Sequence, residues 1–258
     1  MKIALVQMEI LEKNRRTNIR HGLELLRRAA VEQDLVVMPE IWTTGYSLGR
    51  LQQEAELLNG SLVTELCQIA AENSCSILAG SVPMLREGKI FNTALAIDSQ
   101  GRLAHMYDKV HLFGLFKEEE FFAPGNNFSA FSLDGVVCGS TICYDLRFPE
   151  LYRHLALQDA QIIFCPAEWP EEIGEIWRLL VQARAAENHV FVVAVNCAGS
   201  FKKAPFYGHS MVVAPSGRII AEAGRQEEIL SCELDLSDIA KVRTRLNALA
   251  DVRKELIQ

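Results

Sequence analysis

Three residues of this chain carry reactive side chains in the same local setting, just past a short apolar run. Glu40 follows Leu35–Met38 in MPEIWTTGY, Lys109 stands in YDKVHLFG, and Cys143 follows Val136–Ile142 in TICYDLRFPE. A carboxylate, an ammonium and a thiol supply a proton acceptor, a stabiliser of negative charge and a nucleophile. In open α/β sheets ligands bind at the carboxyl ends of strands. Three such ends with complementary groups predict one site for attack on an electrophilic carbon, the chemistry of a thiol-dependent amide hydrolase.

A free cysteine is only a few per cent thiolate at neutral pH and needs a base or a cation nearby. Glu40, beside apolar Met38, Ile41 and Trp42, is the candidate base. Lys109 is the candidate donor to the oxygen of a tetrahedral intermediate, helped by the backbone N–H of Tyr144, the residue after the nucleophile. Taken singly, each has an ordinary structural reading: a buried small thiol, a surface or capping acid, a solvated lysine. Spacing along the chain does not by itself bring the three together. Of the rival chemistries, a thiol–imidazole pair would draw on His111, His189 or His209. The strand–helix elbow of that class wants small residues two before and two after the nucleophile, whereas Thr141 and Asp145 stand there. Cys138 and Cys143 are separated by four residues, and CxxC, HExxH, P-loop and GxGxxG patterns are lacking, which weighs against a metal enzyme.

The elements that would position these residues alternate along the chain. Strand-like runs occur at 3–6, 35–38, 77–82, 94–97, 136–142, 162–164, 190–195, 210–214, 219–221 and 229–234. Helical spacing joins Ile19, Leu23, Leu26 and Ala30, then Leu62, Leu66, Ile69 and Ala70, then Ile176, Leu179, Leu180 and Ala183. Pro149 and Glu150 suit the first turn of a helix running to about Leu157. Glu87-Gly88, Gln100-Gly101, Asp134-Gly135 and Ser216-Gly217 each lie between strand-like runs, as hairpin turns do. No linker or repeat splits the chain. The expectation is a single α/β domain over 1–258, a mixed sheet or pair of sheets flanked by helices, with an amphipathic helical tail over about 238–258 (Ile239, Val242, Leu246, Leu249) that meets its own body or another subunit.

The 258 residues are 49% apolar with a net charge of -7 and a mean hydropathy of +0.08. That balance argues against disorder, and no basic run is long enough for a nucleic-acid partner. No apolar run approaches the ~18 residues that span a bilayer, and Met1-Lys2 leads straight into a strand-like run with no signal-peptide pattern. Seven scattered cysteines fit reduced thiols in the cytoplasm better than a disulfide framework.

With those motifs in place, the chain resembles the nitrilase superfamily of carbon–nitrogen hydrolases from Met1 to about Leu236. The likeness rests on MPEIWTTGY, YDKVHLFG and CYDLRFPE, supported by GSVPM, FNTALAID, ARAAENHVFVVAVN and YGHSMVVAPSGRII. It implies a four-layer αββα sandwich, usually paired through helices into a homodimer, and a Glu–Lys–Cys set acting through a covalent thioester. It also implies no metal or organic cofactor, and a second glutamate bonded to the lysine. Pro124-Gly125 sets that residue at Glu118, with Glu119 the alternative register. CYDLRFPE, PAEWP and TTGY look most like the omega-amidase branch, which cleaves the terminal amide of small 2-oxo acids such as 2-oxoglutaramate and 2-oxosuccinamate. Trp42 and Trp169 would then line a small pocket or else pack in the core. Arg147 would grip a substrate carboxylate or else pair with Asp145 or Glu150. An amidase of deaminated glutathione, a nitrilase, an acyltransferase and a non-catalytic binding member of the fold are the alternatives.

Overall fold

The computed structural model describes residues 1–253 and Glu255. Strands β1 (Lys2–Gln7), β2 (Glu9–Ile10), β3 (Leu35–Val37), β4 (Ser76–Arg86), β5 (Lys89–Ile97) and β6 (Leu103–Asp108) come first. They are followed by β7 (Phe131–Leu133), β8 (Val136–Ser140), β9 (Ile162–Pro166), β10 (Phe191–Val195), β11 (Ala198–Phe201), β12 (Ala204–Pro205), β13 (Met211–Val213), β14 (Ile219–Glu222) and β15 (Glu228–Glu233). The helices are α1 (Arg15–Ala29), α2 (Leu51–Glu54), α3 (Ser61–Asn73), α4 (Pro149–Leu157), α5 (Gly174–Asn188) and α6 (Ser237–Arg245).

Two sheets of like design result, in the orders β15-β1-β3-β4-β5-β6 and β14-β13-β10-β9-β8-β7. Each has three parallel strands at its centre, β1, β3 and β4 in one and β8, β9 and β10 in the other, with antiparallel strands outside. Side-chain alternation with a period of two sorts each strand between two cores. Ile3 and Leu5 of β1, Ile162 and Phe164 of β9, and Phe191 and Val193 of β10 share one cluster, the layer between the sheets. Ala4 and Val6 face the opposite way and pack with Leu23 and Leu26 of α1 and Leu62 and Leu66 of α3. Ile163 and Cys165 pack with Leu151 and Leu155 of α4 and Val181 and Ala185 of α5. The layers are therefore helix, sheet, sheet, helix, the sandwich that the family resemblance implies.

Glu87-Gly88 and Asp134-Gly135 close the β4–β5 and β7–β8 hairpins with both turn residues at positive φ, as two-residue turns of matching twist require. Two expectations are corrected. On α5 the face that meets the sheet is Trp177, Val181, Arg184, Ala185 and Asn188, while Leu179 of the apolar stripe is 67% exposed and Ile176 36%. Among the described residues the α-helix of the C-terminal tail spans Ser237–Arg245; Ile239 enters the inter-sheet core and Leu249 packs beside α4 and α5, while Leu246 is exposed. Lys254 and 256–258 of that tail lie outside the described residues. No helix among the described residues is long and apolar enough to cross a membrane.

Candidate active site

Glu40 sits three residues past β3 in a turn built around a bulge in β4. The register of β4 slips between Leu78 and Ser81, and Gly80 takes φ +60° where a β-carbon would lie 1.8 Å from the Pro39 carbonyl oxygen. Only glycine fits that approach. Ser81 donates from its backbone N–H to the Pro39 carbonyl (3.1 Å) and accepts the Ile41 N–H at its Oγ (2.9 Å), and Ile41 is forced to φ +29°, a conformation costly for a β-branched residue. Glu40 thus leaves the strand end on a backbone fixed from both sides.

Lys109 follows β6 directly. Its N–H donates to the Asn92 carbonyl of β5 (2.9 Å), and its own carbonyl accepts the Gly125 N–H (2.8 Å). Gly125 packs so closely on β6 that a β-carbon would meet the Asp108 carbonyl oxygen at 2.2 Å. The lysine side chain is wholly buried, and its Nζ donates to Glu40 Oε1 and Glu118 Oε1, both at 2.8 Å. Glu118 is fully buried and Glu119 exposed, so the first register is the one the structure adopts. Glu118 also accepts the Tyr46 hydroxyl (2.9 Å) and the Phe113 N–H (2.8 Å). Glu40 Oε1 takes a second donor from Asn92 Nδ2 (2.9 Å), and its Oε2 accepts the Glu168 N–H (3.0 Å).

Cys143 opens a 3₁₀ turn (Cys143–Arg147) three residues beyond β8, at φ +45°. This non-glycine strain at a strand-to-helix elbow is held by Asp145, which accepts the Ile142 N–H (3.0 Å), the His111 N–H (3.0 Å), His111 Nδ1 (2.9 Å) and the Tyr107 hydroxyl (2.7 Å). Asp145 therefore ties the Cys143 turn to the loop that follows Lys109. Arg184 Nε donates to the Leu146 carbonyl (3.1 Å) while its Nη1 pairs with Glu187 (3.0 Å) on the same helix. Among the described residues the Tyr144 N–H donates to no backbone carbonyl outside its own turn.

The electrostatics follow from burial. Burial alone would lower the Lys109 pKa, but the Glu40 and Glu118 carboxylates overcome it and hold the ammonium well above the ordinary lysine value. Burial raises the Cys143 thiol well above its usual range, the Glu40 charge raises it further, and Lys109 offsets only a fraction. The sulfur is thus a protonated thiol at neutral pH, within the field of Glu40, Lys109 and Glu118. Burial also raises Glu118, against the pull of Lys109. Among the described residues no group of three or more His, Cys, Asp or Glu side chains is arranged to hold a metal ion.

Nearby, a cavity of about 960 Å³ is walled by Tyr46, Leu48, Phe116, Phe121, Phe201 and Lys202 among others. Its lining includes Tyr46, whose hydroxyl meets Glu118, but not Glu40, Lys109 or Cys143, which lie deeper. Phe116 packs on Phe113 at 5.1 Å between ring centres and Phe113 on Tyr144 at 5.0 Å, so aromatic rings run from the cavity to the residue after the thiol.

Among the substrate-pocket expectations, Trp42 is corrected. Its ring is wholly buried against Gly22 of α1, where a β-carbon would come within 2.6 Å of the indole, and its N–H donates to the Ala79 carbonyl (2.8 Å). Trp42 packs the helix layer, the core-packing alternative of the two. Arg147 pairs with neither Asp145 nor Glu150; its guanidinium lies 5.3 Å from the centre of the buried Trp169 ring. Sequence reasoning passes over Asn92 and Glu168 and takes Asp145 only as a partner for Arg147. Each stands inside or beside a quoted motif, and a polar side chain within a buried run is the available signal.

Sandwich and site together define a class: an αββα hydrolase fold with a buried Glu–Lys–Glu cluster beside a strained cysteine. Residues 2–244 match the Carbon-nitrogen hydrolase family, and the chain belongs to that family and to the nitrilase superfamily. It is a carbon–nitrogen hydrolase. It is similar to the 2-oxoglutaramate amidase of Bacillus subtilis (37% identical over 254 residues, 98% of each chain) and to the omega-amidase NIT2 of Homo sapiens (31% over 265 residues, 99% of this chain and 96% of the other). Among solved structures, Saccharomyces cerevisiae Nit3 superposes with a TM-score of 0.89 at 32% identity, covering 95% of this chain and 94% of the other. A superfamily member from Xanthomonas campestris with an arsenic adduct in its active site gives 0.90 at 31%, covering 98% and 97%.

Proposed function

We propose that this protein is an omega-amidase that releases ammonia from the terminal amide of small 2-oxo acids through a thioester on Cys143. The observation that carries the reading is the fully buried Lys109 ammonium bridging Glu40 and Glu118 beside a cysteine held at φ +45°. Because the thiol is protonated, attack and deprotonation are coupled: as sulfur bonds to the amide carbon, its proton passes to Glu40. Lys109 Nζ and the Tyr144 N–H stabilise the oxyanion. Glu40 then returns the proton to nitrogen, the C–N bond breaks, and ammonia leaves. In the second half Glu40 takes a proton from water, whose oxygen attacks the thioester; the C–S bond then breaks and Glu40 returns the proton to sulfur, which departs as the thiol. Glu118 keeps Lys109 charged and in place throughout.

Arg147 is the group suited to the far carboxylate of the substrate. It stacks on Trp169, lies four residues past Cys143, and forms no ion pair among the described residues. The relatives named 2-oxoglutaramate amidase and omega-amidase support this substrate class. The exposed Ile176 and Leu179 of α5 support pairing of two copies through the helix layer, and seven unpaired cysteines support a reducing, cytoplasmic setting.

An ammonia-release screen tests the assignment. Turnover should be fastest on 2-oxoglutaramate and 2-oxosuccinamate, slower on glutamine, and slower still on deaminated glutathione and on nitriles of similar size. Preference for a nitrile or for the peptide-like amide would overturn it.

A further inference from the structure

Glu168 is an anomalous polar group among the described residues. It lies two residues past β9, its residue is 1% exposed, and both carboxyl oxygens are buried with no hydrogen-bond partner among the described residues. Leaving a buried carboxyl unpaired costs free energy, and native proteins seldom do so without a use. Its backbone is part of the site, since the Glu168 N–H donates to Glu40 Oε2 at 3.0 Å. Its side chain passes beside the TTGY loop: a β-carbon on Gly45 would lie 3.6 Å from Oε1 and 3.9 Å from Oε2. Those are ordinary contact distances, so the carboxyl lies directly against the Gly45 backbone.

The donors and acceptors of the site say what this group awaits. A primary carboxamide brings one oxygen, which needs donors, and one nitrogen, which carries two N–H bonds and needs acceptors. Lys109 and the Tyr144 N–H serve the oxygen. On the acceptor side, Glu40 Oε1 already receives two donors, and Glu40 Oε2 and both Glu118 oxygens receive at least one each. Glu168, with Thr43 Oγ1 and Asn92 Oδ1, is buried beside Glu40 or its loop with acceptor capacity unused among the described residues.

We infer that Glu168 binds the nitrogen of the scissile carboxamide, and then the departing ammonia, by accepting its N–H bonds next to Glu40. The inference rests on the amidase reading and deepens it, because it makes the leaving nitrogen a recognised group. A nitrile has no N–H to offer and an ester has none on its leaving oxygen, so both forgo this contact. Burial, reinforced by the Glu40 charge, holds Glu168 well above the ordinary carboxylate range. A neutral acid keeps a carbonyl oxygen for the N–H and does not repel an anionic 2-oxo acid.

The test compares two leaving groups on one acyl chain, the primary amide and the methyl ester of the same 2-oxo acid, with kcat and KM measured for both. Glu168→Met removes the acceptor at similar size, and kcat/KM for the amide should fall about 10–100-fold, the scale of a lost hydrogen bond to a buried charged or polar group. The ester should lose less than about threefold. Glu168→Gln keeps a carbonyl acceptor and should retain most of the amide preference. Should Glu168→Met fail to fold, Glu168→Asp withdraws the acceptor by one methylene and should show the same amide-selective loss. Adding hydroxylamine to the ester reaction gives a second readout: the share of thioester diverted to hydroxamate should drop with the amide activity. Equal losses on amide and ester, or an unaltered amide rate, would overturn the inference while leaving the amidase reading intact. If the unaltered protein cleaved the ester but no carboxamide, both would fall together.

Discussion

Replacing Lys109 by methionine removes the one cation that the buried cluster holds and keeps most of the side-chain volume. In the parent protein Nζ lies 2.8 Å from each of two carboxylates, and all three residues are fully buried. Removing one partner of a buried pair typically costs about 3–5 kcal/mol, because the remaining charge is left uncompensated. For a domain of this size each kcal/mol lowers Tm by roughly 2–4 °C, so the expected loss is roughly 6–20 °C. The sign of its pH dependence follows from the Glu118 carboxyl. Burial already raises Glu118 in the presence of Lys109, and without the cation its folded-state pKa rises further. A carboxyl raised on folding contributes stability that is present below its unfolded pKa and is lost as pH rises through the folded one. The deficit of Lys109→Met should therefore be small at pH 5 and widen toward pH 8. Thermal melts of parent and variant across that range measure it. Adding Glu118→Gln should recover some of the deficit at pH 8 without restoring ammonia release, which should stay at least about 10²-fold down for want of the oxyanion donor. A variant that melts with the parent at pH 8, or a deficit independent of pH, would refute the electrostatic account of the cluster.

Three further outcomes follow. Asp145→Asn removes an acceptor shared by two backbone N–H groups, His111 and the Tyr107 hydroxyl, so it should lower kcat at least about tenfold with little change in KM and cost about 1–3 kcal/mol by melting. Cys143→Gly and Cys143→Ala should both abolish turnover, but the glycine variant should melt higher, by about 1 kcal/mol equivalent, since only glycine accepts φ +45° without strain. Because the thiol is raised well above its usual value, methylthiolation of Cys143 by methyl methanethiosulfonate should accelerate with pH through 9 without a plateau, measured by mass on the Cys143 peptide; a plateau near neutrality would indicate a thiolate pair instead.

Much of this architecture is legible in the sequence because period-two runs with turn dipeptides between them leave little freedom. Ile3–Val6, Phe191–Val195 and the helix from Pro149 to Leu157 fall where the pattern puts them, and Glu40, Lys109 and Cys143 each follow a strand end. The family resemblance, counted from Pro124-Gly125, implies Glu118, and burial with the bond to Lys109 separates it from Glu119. The errors share a cause: hydrophobicity along a helix marks a face that avoids water, not which body covers it. On α5 the sheet side contains Arg184 and Asn188, which are buried because the Leu146 carbonyl, Glu187 and the Arg184 carbonyl receive their donors. Trp42 reads as a pocket residue because it neighbours Glu40, yet the turn at Ile41 sends the indole beneath α1. Asp145 and Glu168 are invisible as functional groups because their meaning lies in contacts across more than thirty residues of chain, or in the lack of one, and neither leaves a periodic trace.

The central claim is that an acyl group is carried on the sulfur of Cys143. Acid-quenching the enzyme during turnover of 2-oxoglutaramate and mapping its peptides by mass measures this directly. The account predicts an adduct equal to the substrate minus ammonia on the peptide containing Cys143, and none with Cys143→Ala. An adduct on another residue such as Cys197, or ammonia release by Cys143→Ala at the parent rate, would contradict it.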